Sequence, residues 1–367
     1  AQDQFPQFKN KLDQTLSNDS LFLERKNKTL TSLKEKLHTT RSNQERYPVL
    51  ERIYEEYKSF QSDSALVYAE KSKISAAKNH NSTQLIRAQL NYASILGTLG
   101  RYDDALSSLN ELERNVKESL KGEFYWTKRI IYGGLTEYGN SKAEKTKYNQ
   151  LGDHYRDLAI ANLSKNSTEY TVALAGQLFS KRKYTSALRL LLVAFDKIGK
   201  TDSNRAVIAY LISENYRLLN NNAQEKKWLA LSAISDLELV KKENISLRKL
   251  AYILYEEGEI ESAYEYTKRS LDDAVFCNSK LRTYEISKML PIINESYETK
   301  NKSSQSQLIV FLISVSVLSL FLIGVLILLF KQMKKVAKAQ KNVKLVNQKL
   351  SVLNQQLQGF NAQLNQT

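Results

Sequence analysis

Residues 247–271 read LRKLAYILYEEGEIESAYEYTKRSL, and this stretch decides the fold. Apolar residues recur every three or four positions on both sides of Gly258, which predicts two amphipathic helices joined by a short turn. Ala263 lies early in the second helix, where a small side chain lets the two helices approach closely. A single helical hairpin cannot bury its apolar face alone, so we expect copies of it along the chain.

The copies are present at a nearly constant spacing. Good copies are LNYASILGTLGRYDDALSSLNEL (90–112) and ALAGQLFSKRKYTSALRLLLVAF (173–195), and weaker ones are 53–71 and 215–234. The anchor alanines are Ala65, Ala105, Ala187 and Ala263, which are 40, 82 and 76 residues apart. These gaps correspond to one, two and two repeat lengths, with missing anchors near 141–150 and Gln224. The pattern resembles tetratricopeptide repeats, and it predicts an all-α solenoid rather than the alternative, an irregular helical bundle.

Composition agrees with a long helical chain. Only 12 Gly and 3 Pro occur in 367 residues, which argues against β-sandwich and collagen-like folds. The lone Cys277 excludes a disulfide framework within the chain, and we expect it to be a small core residue. Three His leave little basis for a metal enzyme, and no phosphate-binding loop or nucleophile elbow is present. His154 has acidic and basic neighbours, but a solvated cluster at a helix start is the favoured interpretation over catalysis.

Residues 308–330 read LIVFLISVSVLSLFLIGVLILLF and carry no charge. A helix of this length spans a hydrocarbon core of ~30 Å, so the sequence predicts one transmembrane helix. Residues 331–367 contain seven Lys and no acidic residue, whereas Lys300 and Lys302 precede the span together with two Glu. The positive-inside rule therefore places the C-terminal side in the cytoplasm, where the lysines also meet lipid headgroups. The long N-terminal part is then exported, and the Ala-Gln-Asp start fits a processed N-terminus.

Flanking segments complete the predicted domain organisation. We expect a capping helix in residues 1–40, helical repeats over 41–277, and a terminal helix and connector over 278–307. Pro291 is expected to interrupt or kink that terminal helix.

The region after the span, 331–367, predicts a parallel coiled coil. Its apolar residues alternate three and four apart, a heptad seam that favours a homodimer. The seam consists of Val336, Ala339, Val343, Val346, Leu350, Leu353, Leu357, Phe360 and Leu364. The same phase extends back into the span, so one helix could carry movement across the membrane. Where this coil ends, an output domain is expected to follow in a longer protein.

The order of these features resembles the membrane-spanning, tetratricopeptide-bearing transcription regulators of the SusR type. The similarity is carried by YEEYKSFQSDSALVYA (54–69), by 247–294, by the span and by the Asn/Gln-rich coil. It implies a periplasmic sensor anchored in a bacterial inner membrane, with no enzyme activity and no cofactor. It also implies an oligosaccharide ligand, malto-oligosaccharides being favoured, or a sugar-binding protein. DNA would be contacted only through a cytoplasmic domain absent from this sequence, in control of polysaccharide-utilisation genes.

Two other functions remain open at this point. The chain could be a membrane-tethered scaffold that binds an exported protein or peptide, with a coil that only oligomerises. It could also be a sensor kinase that lacks its catalytic part.

Aromatic side chains are the candidates for sugar recognition, because ring faces stack on sugars while polar groups fix hydroxyls. In a solenoid the first helix of each pair lines the concave face. With the helices phased from Gly258, this rule selects Arg248, Tyr252, Tyr255 and Glu256. The aromatic segment that contains Tyr125 and Trp126, with Tyr132 one to two turns later, is a further candidate. The alternative for each is ordinary packing between helices, which is the interpretation favoured for Trp228.

Overall fold

The computed structural model describes residues 4–364, and every regular element in that range is helical. The α-helices are α1 (Phe5–Ser17), α2 (Asp19–Thr39), α3 (Asn43–Tyr57), α4 (Ser62–Lys78), α5 (Ser82–Thr98), α6 (Tyr102–Glu113), α7 (Lys121–Tyr138), α8 (Lys142–Asn162), α9 (Thr168–Ser180), α10 (Tyr184–Lys197), α11 (Arg205–Leu218), α12 (Asn222–Glu238), α13 (Ile245–Glu256), α14 (Ile260–Cys277) and α15 (Lys280–Leu364). One 3-10 turn, Glu118–Leu120, precedes α7.

Helices α3 to α14 form six consecutive pairs, which confirms the predicted repeat. The anchor residues Ala65, Ala105, Ala187 and Ala263 are fully buried. The two pairs without an anchor alanine have their second helices, α8 and α12, at the predicted places. In α12 the anchor position holds Glu225, and Trp228 one turn later is buried with its ring edge-on to Phe195 at 4.8 Å. The prediction that Trp228 is a core residue is therefore confirmed.

In several pairs the turn between the two helices contains one residue with a positive φ angle, and this residue is glycine in some of these pairs and another residue in others. Gly100 and Gly258 have positive φ angles of 76° and 85°, a conformation that glycine adopts without steric cost. The corresponding turns use Arg182 at φ 57° and Asn220 at φ 55°. Each of these two residues forms the same short turn at some cost in backbone strain.

The N-terminal segment contains two helices where the sequence predicts one capping helix. Helices α1 and α2 meet at Asn18; α1 packs on α12, and α2 packs on α3 and α12. Leu12 of α1 is fully buried in the core cluster of α12 to α14, and the Tyr266 hydroxyl donates a 2.5 Å hydrogen bond to Asp13. The Lys26 ammonium of α2 lies 2.7 Å from the Glu56 carboxylate of α3. Helix α2 therefore connects the first repeat with α12, while α1 covers the core of the last repeats.

The last repeat also contacts the first one. The backbone N–H of Lys242 donates to the Ser59 carbonyl at 2.7 Å. Cys277 is fully buried, as expected, with its Sγ 3.5 Å from the Ser62 Oγ. Asn278 donates its side-chain amide to both carboxylate oxygens of Asp63. The repeat array thus closes on itself at this point.

The compact repeat unit continues to Tyr297, twenty residues beyond the predicted end of the repeats at 277. The first turns of α15 belong to this unit, with Ile286 and Ile293 buried. Helix α15 runs without a break through Pro291, so the expected interruption is absent.

A second unit begins at Glu298 and contains the apolar segment 308–330. Within the described residues, α15 is the one helix long and apolar enough to span a membrane. Its most apolar window has a mean hydropathy of 2.9 and contains no buried residue, as expected of a surface that lipid would cover.

Candidate ligand cavity

A cavity of about 960 Å³ lies in the repeat unit. Its lining comes from the first helices of five successive pairs, α3, α5, α7, α9 and α11, and from the segments next to them. This distribution agrees with the expectation that the first helix of each pair faces inward. The size falls within the range of ~300–1,000 Å³ that is usual for small-molecule sites.

Three charged side chains line the cavity at equivalent positions of three successive repeats. Glu51, Arg87 and Glu123 lie 36 residues apart on α3, α5 and α7. The Arg87 guanidinium holds both oxygens of Glu123, at 3.1 and 3.3 Å. The hydrogen bond from Arg87 to Glu123 raises the pKa of Arg87, and burial raises the pKa of Glu51. The Tyr47 hydroxyl donates to Glu51 at 3.3 Å.

Trp126 is the one aromatic side chain among the described residues that line the cavity. It lies one turn after Glu123 on α7 and is half-buried, so part of its indole faces the cavity. An exposed ring beside hydrogen-bonding groups is the arrangement that recognises a sugar ring by stacking and by its hydroxyls.

Charge in the cavity is nearly balanced, although the chain as a whole carries +15. The ionisable lining residues are Glu51, Glu55, Glu123, Glu169, Arg52, Lys58 and Arg87. The lining thus contains four carboxylates and three cations. It also contains the amides of Asn91 and Asn162 and the hydroxyls of Thr127 and Thr168. A neutral polar ligand fits this lining better than an acidic or a basic one.

Tyr125 and Tyr132 lie away from the cavity, between α7 and α8. Tyr132 stacks on Tyr155 at 5.4 Å with an interplanar angle of 3°, and Tyr125 stacks on the same ring at 6.3 Å. The buried Lys128 ammonium lies 5.0 Å from the Tyr155 ring and 3.0 Å from Glu113. These two tyrosines therefore act in helix packing, the alternative considered from the sequence.

The four candidates on α13 also lie outside the cavity lining. Arg248 pairs with Glu285 of α15 at 3.1 Å, and the Tyr255 hydroxyl lies 3.2 Å from the Ser296 hydroxyl of the same helix. Tyr252 is 46% exposed, and Glu256 is an exposed neighbour to which it hydrogen-bonds. Of the seven sequence candidates, the structure brings only Trp126 into the cavity.

His154 lies in the middle of α8, and not at a helix start as expected. Its side chain is exposed, while its neighbours Asp153 and Arg156 pair with each other at 2.8 Å. Arg156 is buried and Asp153 is partly buried, so the expected solvated cluster is wrong for these two residues and holds for His154 alone.

Sequence reasoning did not predict that Glu51, Arg87 and Glu123 line the cavity, although the sequence contains a signal for it. Glu51, Arg87 and Glu123 alternate in sign at one fixed interval of 36 residues. In a solenoid, equal positions in neighbouring repeats lie side by side, so such an alternation predicts a charge ladder on one face.

A family model described as the SusR N-terminal TPR domain matches residues 16–288 of the chain. The matched region covers nearly all of the repeat unit, including every cavity-lining helix. No curated protein matches the chain.

Proposed function

This chain belongs to the SusR N-terminal TPR domain family, and we propose that it is a membrane-anchored receptor for an oligosaccharide. The family name points to a regulator of the starch-utilisation type, and malto-oligosaccharides are the favoured ligands. The observation that carries the proposal is the nearly neutral cavity with Trp126 in its wall. We place the ligand there, because this lining offers a stacking surface and many hydrogen-bonding groups for a neutral polyol.

The anchor is the apolar part of α15. The lysines that follow residue 330 favour a cytoplasmic C-terminal side, which would leave the cavity outside the inner membrane. Such an arrangement suits a sensor of sugars that have not yet entered the cell. We propose that its output passes to a DNA-binding domain outside these 367 residues.

Self-association is the second part of the proposal. The side chains of the heptad seam from Val336 to Leu357 are exposed along α15. Of the positions that flank the seam, 340, 342, 347, 354 and 356 are Asn or Gln, and 335 and 349 are Lys. In a parallel pair these two lysines would face Gln340 and Asn354 of the other copy, so like charges would not be paired across the seam at these positions. A parallel homodimer would then place two receptors side by side.

The direct test is calorimetric titration of the full chain in lipid nanodiscs with malto-oligosaccharides of two to seven units. We expect saturable binding, and we expect Trp126→Ala to weaken it about fivefold, which corresponds to the loss of ~1 kcal/mol typical of one aromatic contact. Tyr252→Ala is the matched control, because Tyr252 is exposed outside the cavity. If Tyr252→Ala loses binding and Trp126→Ala retains it, the binding site lies at α13. If none of the malto-oligosaccharides binds, a protein ligand is favoured.

A further inference from the structure

Helix α7 has two contacts of different kinds at its two ends. Its first half carries Glu123 and Trp126 into the cavity. Its last turn carries Glu137 and Tyr138 to the first turns of α15. From Glu123 to Glu137 the helix rises ~21 Å, at 1.5 Å per residue. One rigid element therefore touches both the candidate ligand site and the helix that continues to the apolar span.

The polar part of this contact is centred on Arg282. Its guanidinium lies 3.2 Å from the Glu137 carboxylate of α7 and 2.6 Å from Glu285 within α15. Glu285 in turn pairs with Arg248 of α13 at 3.1 Å. Buried Glu243, in the loop before α13, also attracts Arg282. Arg282 thus joins α7 and α15 and, through Glu285, reaches the last repeat.

The apolar part lies directly beside it. The Tyr138 ring contacts Tyr284 of α15 at 5.3 Å and Tyr102 of α6 at 6.1 Å. The turn at Gly100 is equally close to α15, since a Cβ added there would lie 3.3 Å from the Lys280 Cβ. The first turn of α15 is therefore held by the second and third repeats, which also supply cavity residues.

We propose that Glu137 and Tyr138 of α7, with Arg282 and Tyr284 of α15, form the junction through which occupancy of the cavity is transmitted to α15. The inference rests on the proposed function, because it assigns the regulation of the same site. A ligand held by Glu123 and Trp126 favours one position of α7, and the junction converts that preference into a preference for one position of α15. Coupling of this kind is a free energy shared by two sites, so it is reciprocal.

The test compares the full wild-type chain with the variant Glu137→Gln/Tyr138→Ala in lipid nanodiscs. Both side chains are about half exposed, at 52% and 42%, so we expect the variant to fold. The matched control is Glu257→Gln, which breaks the 2.8 Å pair with Lys226 away from α15. The readout is hydrogen exchange of residues 280–297, with and without maltoheptaose, next to the calorimetric affinity.

In the wild type and in the control, we expect maltoheptaose to slow exchange of 280–297 at least threefold. In the junction variant, we expect most of that change to be lost while the affinity stays within about threefold. A full ligand effect in the junction variant would overturn the inference. Binding to the wild type without any change at 280–297 would overturn it as well.

A ligand-free comparison keeps this inference separate from the proposed ligand. If the junction restrains α7, the variant exchanges faster at 121–130, beside the cavity and several turns from the substitutions. If the contact is only local packing, the change stays within one turn of residues 137 and 282, and the inference fails. Absence of maltoheptaose binding combined with faster exchange at 121–130 would reject the proposed sugar and retain the junction.

Discussion

Asp236 lies near the end of α12 with its carboxylate buried, and burial raises the pKa of Asp236 to about 7. Lys241 lies 3.9 Å away and offsets only part of this effect. A carboxyl with a raised pKa in the folded state favours folding when protonated. The contribution of Asp236 to the free energy of unfolding is therefore highest below about pH 4 and falls as the pH rises to about 7.

Replacing Asp236 by Asn removes this pH dependence, because the amide is neutral at every pH. We expect Asp236→Asn to raise the thermal midpoint of the repeat unit at pH 8 by about 4 °C or more. Circular dichroism melts between pH 4 and 8 measure the effect, and the gap from the wild type should close toward pH 4. The exposed Glu238→Gln on the same helix is the control. A difference in thermal midpoint between Asp236→Asn and the wild type that is the same at all pH values would contradict the raised pKa of Asp236.

The backbone of α7 lies directly against the end of α8 at Gly122, and the absence of a side chain there permits this approach. A Cβ at Gly122 would lie 2.8 Å from the Asn162 carbonyl oxygen and 2.9 Å from the Leu163 nitrogen. Both atoms belong to the backbone, so they cannot rotate away as a flexible side chain would. The position of α7, and with it Trp126 and Glu123, depends on this glycine.

We therefore expect Gly122→Ala to destabilise the repeat unit by about 1–3 kcal/mol, the usual cost of inserting a methyl group into packed structure. Gly199→Ala is the matched control, because no atom lies within 4 Å of a Cβ there. Thermal unfolding followed by circular dichroism measures both. Equal midpoints for the two variants would show that α7 and α8 can separate at no cost.

At the scale of helices, the sequence predicts the repeat pairs because anchor alanines and apolar periodicity recur in phase. It does not determine which face of α7 meets α8 and which meets the cavity. Tyr125 and Tyr132 are seven residues apart on one face, whereas Trp126 is turned ~100° from Tyr125. Aromatic rings are equally suited to the α7–α8 interface and to the cavity wall, so packing against α8 determines which face of α7 lies in the interface. The place of α1 depends on contacts with α12 and α14, more than 200 residues away, which no local pattern encodes.

At the scale of the whole molecule, the proposed receptor requires two copies to meet along the heptad seam. Leu350 occupies a seam position, while Gln348 lies on the opposite face of the same helix. We expect Leu350→Lys to weaken self-association at least tenfold, since two lysines would meet in an apolar interface. Gln348→Lys adds the same charge on the outer face and should leave association unchanged. Energy transfer between labelled chains in detergent measures both, and equal association of the two variants would exclude the seam as the interface.

The central claim is that the cavity binds the oligosaccharide. Hydrogen exchange of the full chain in nanodiscs, with and without maltoheptaose, tests this claim most directly. We expect slower exchange in the cavity-lining segments 48–58, 87–91 and 122–130, which come from three different helices. Protection confined to 248–256, or no protection in any cavity-lining segment, would contradict the account.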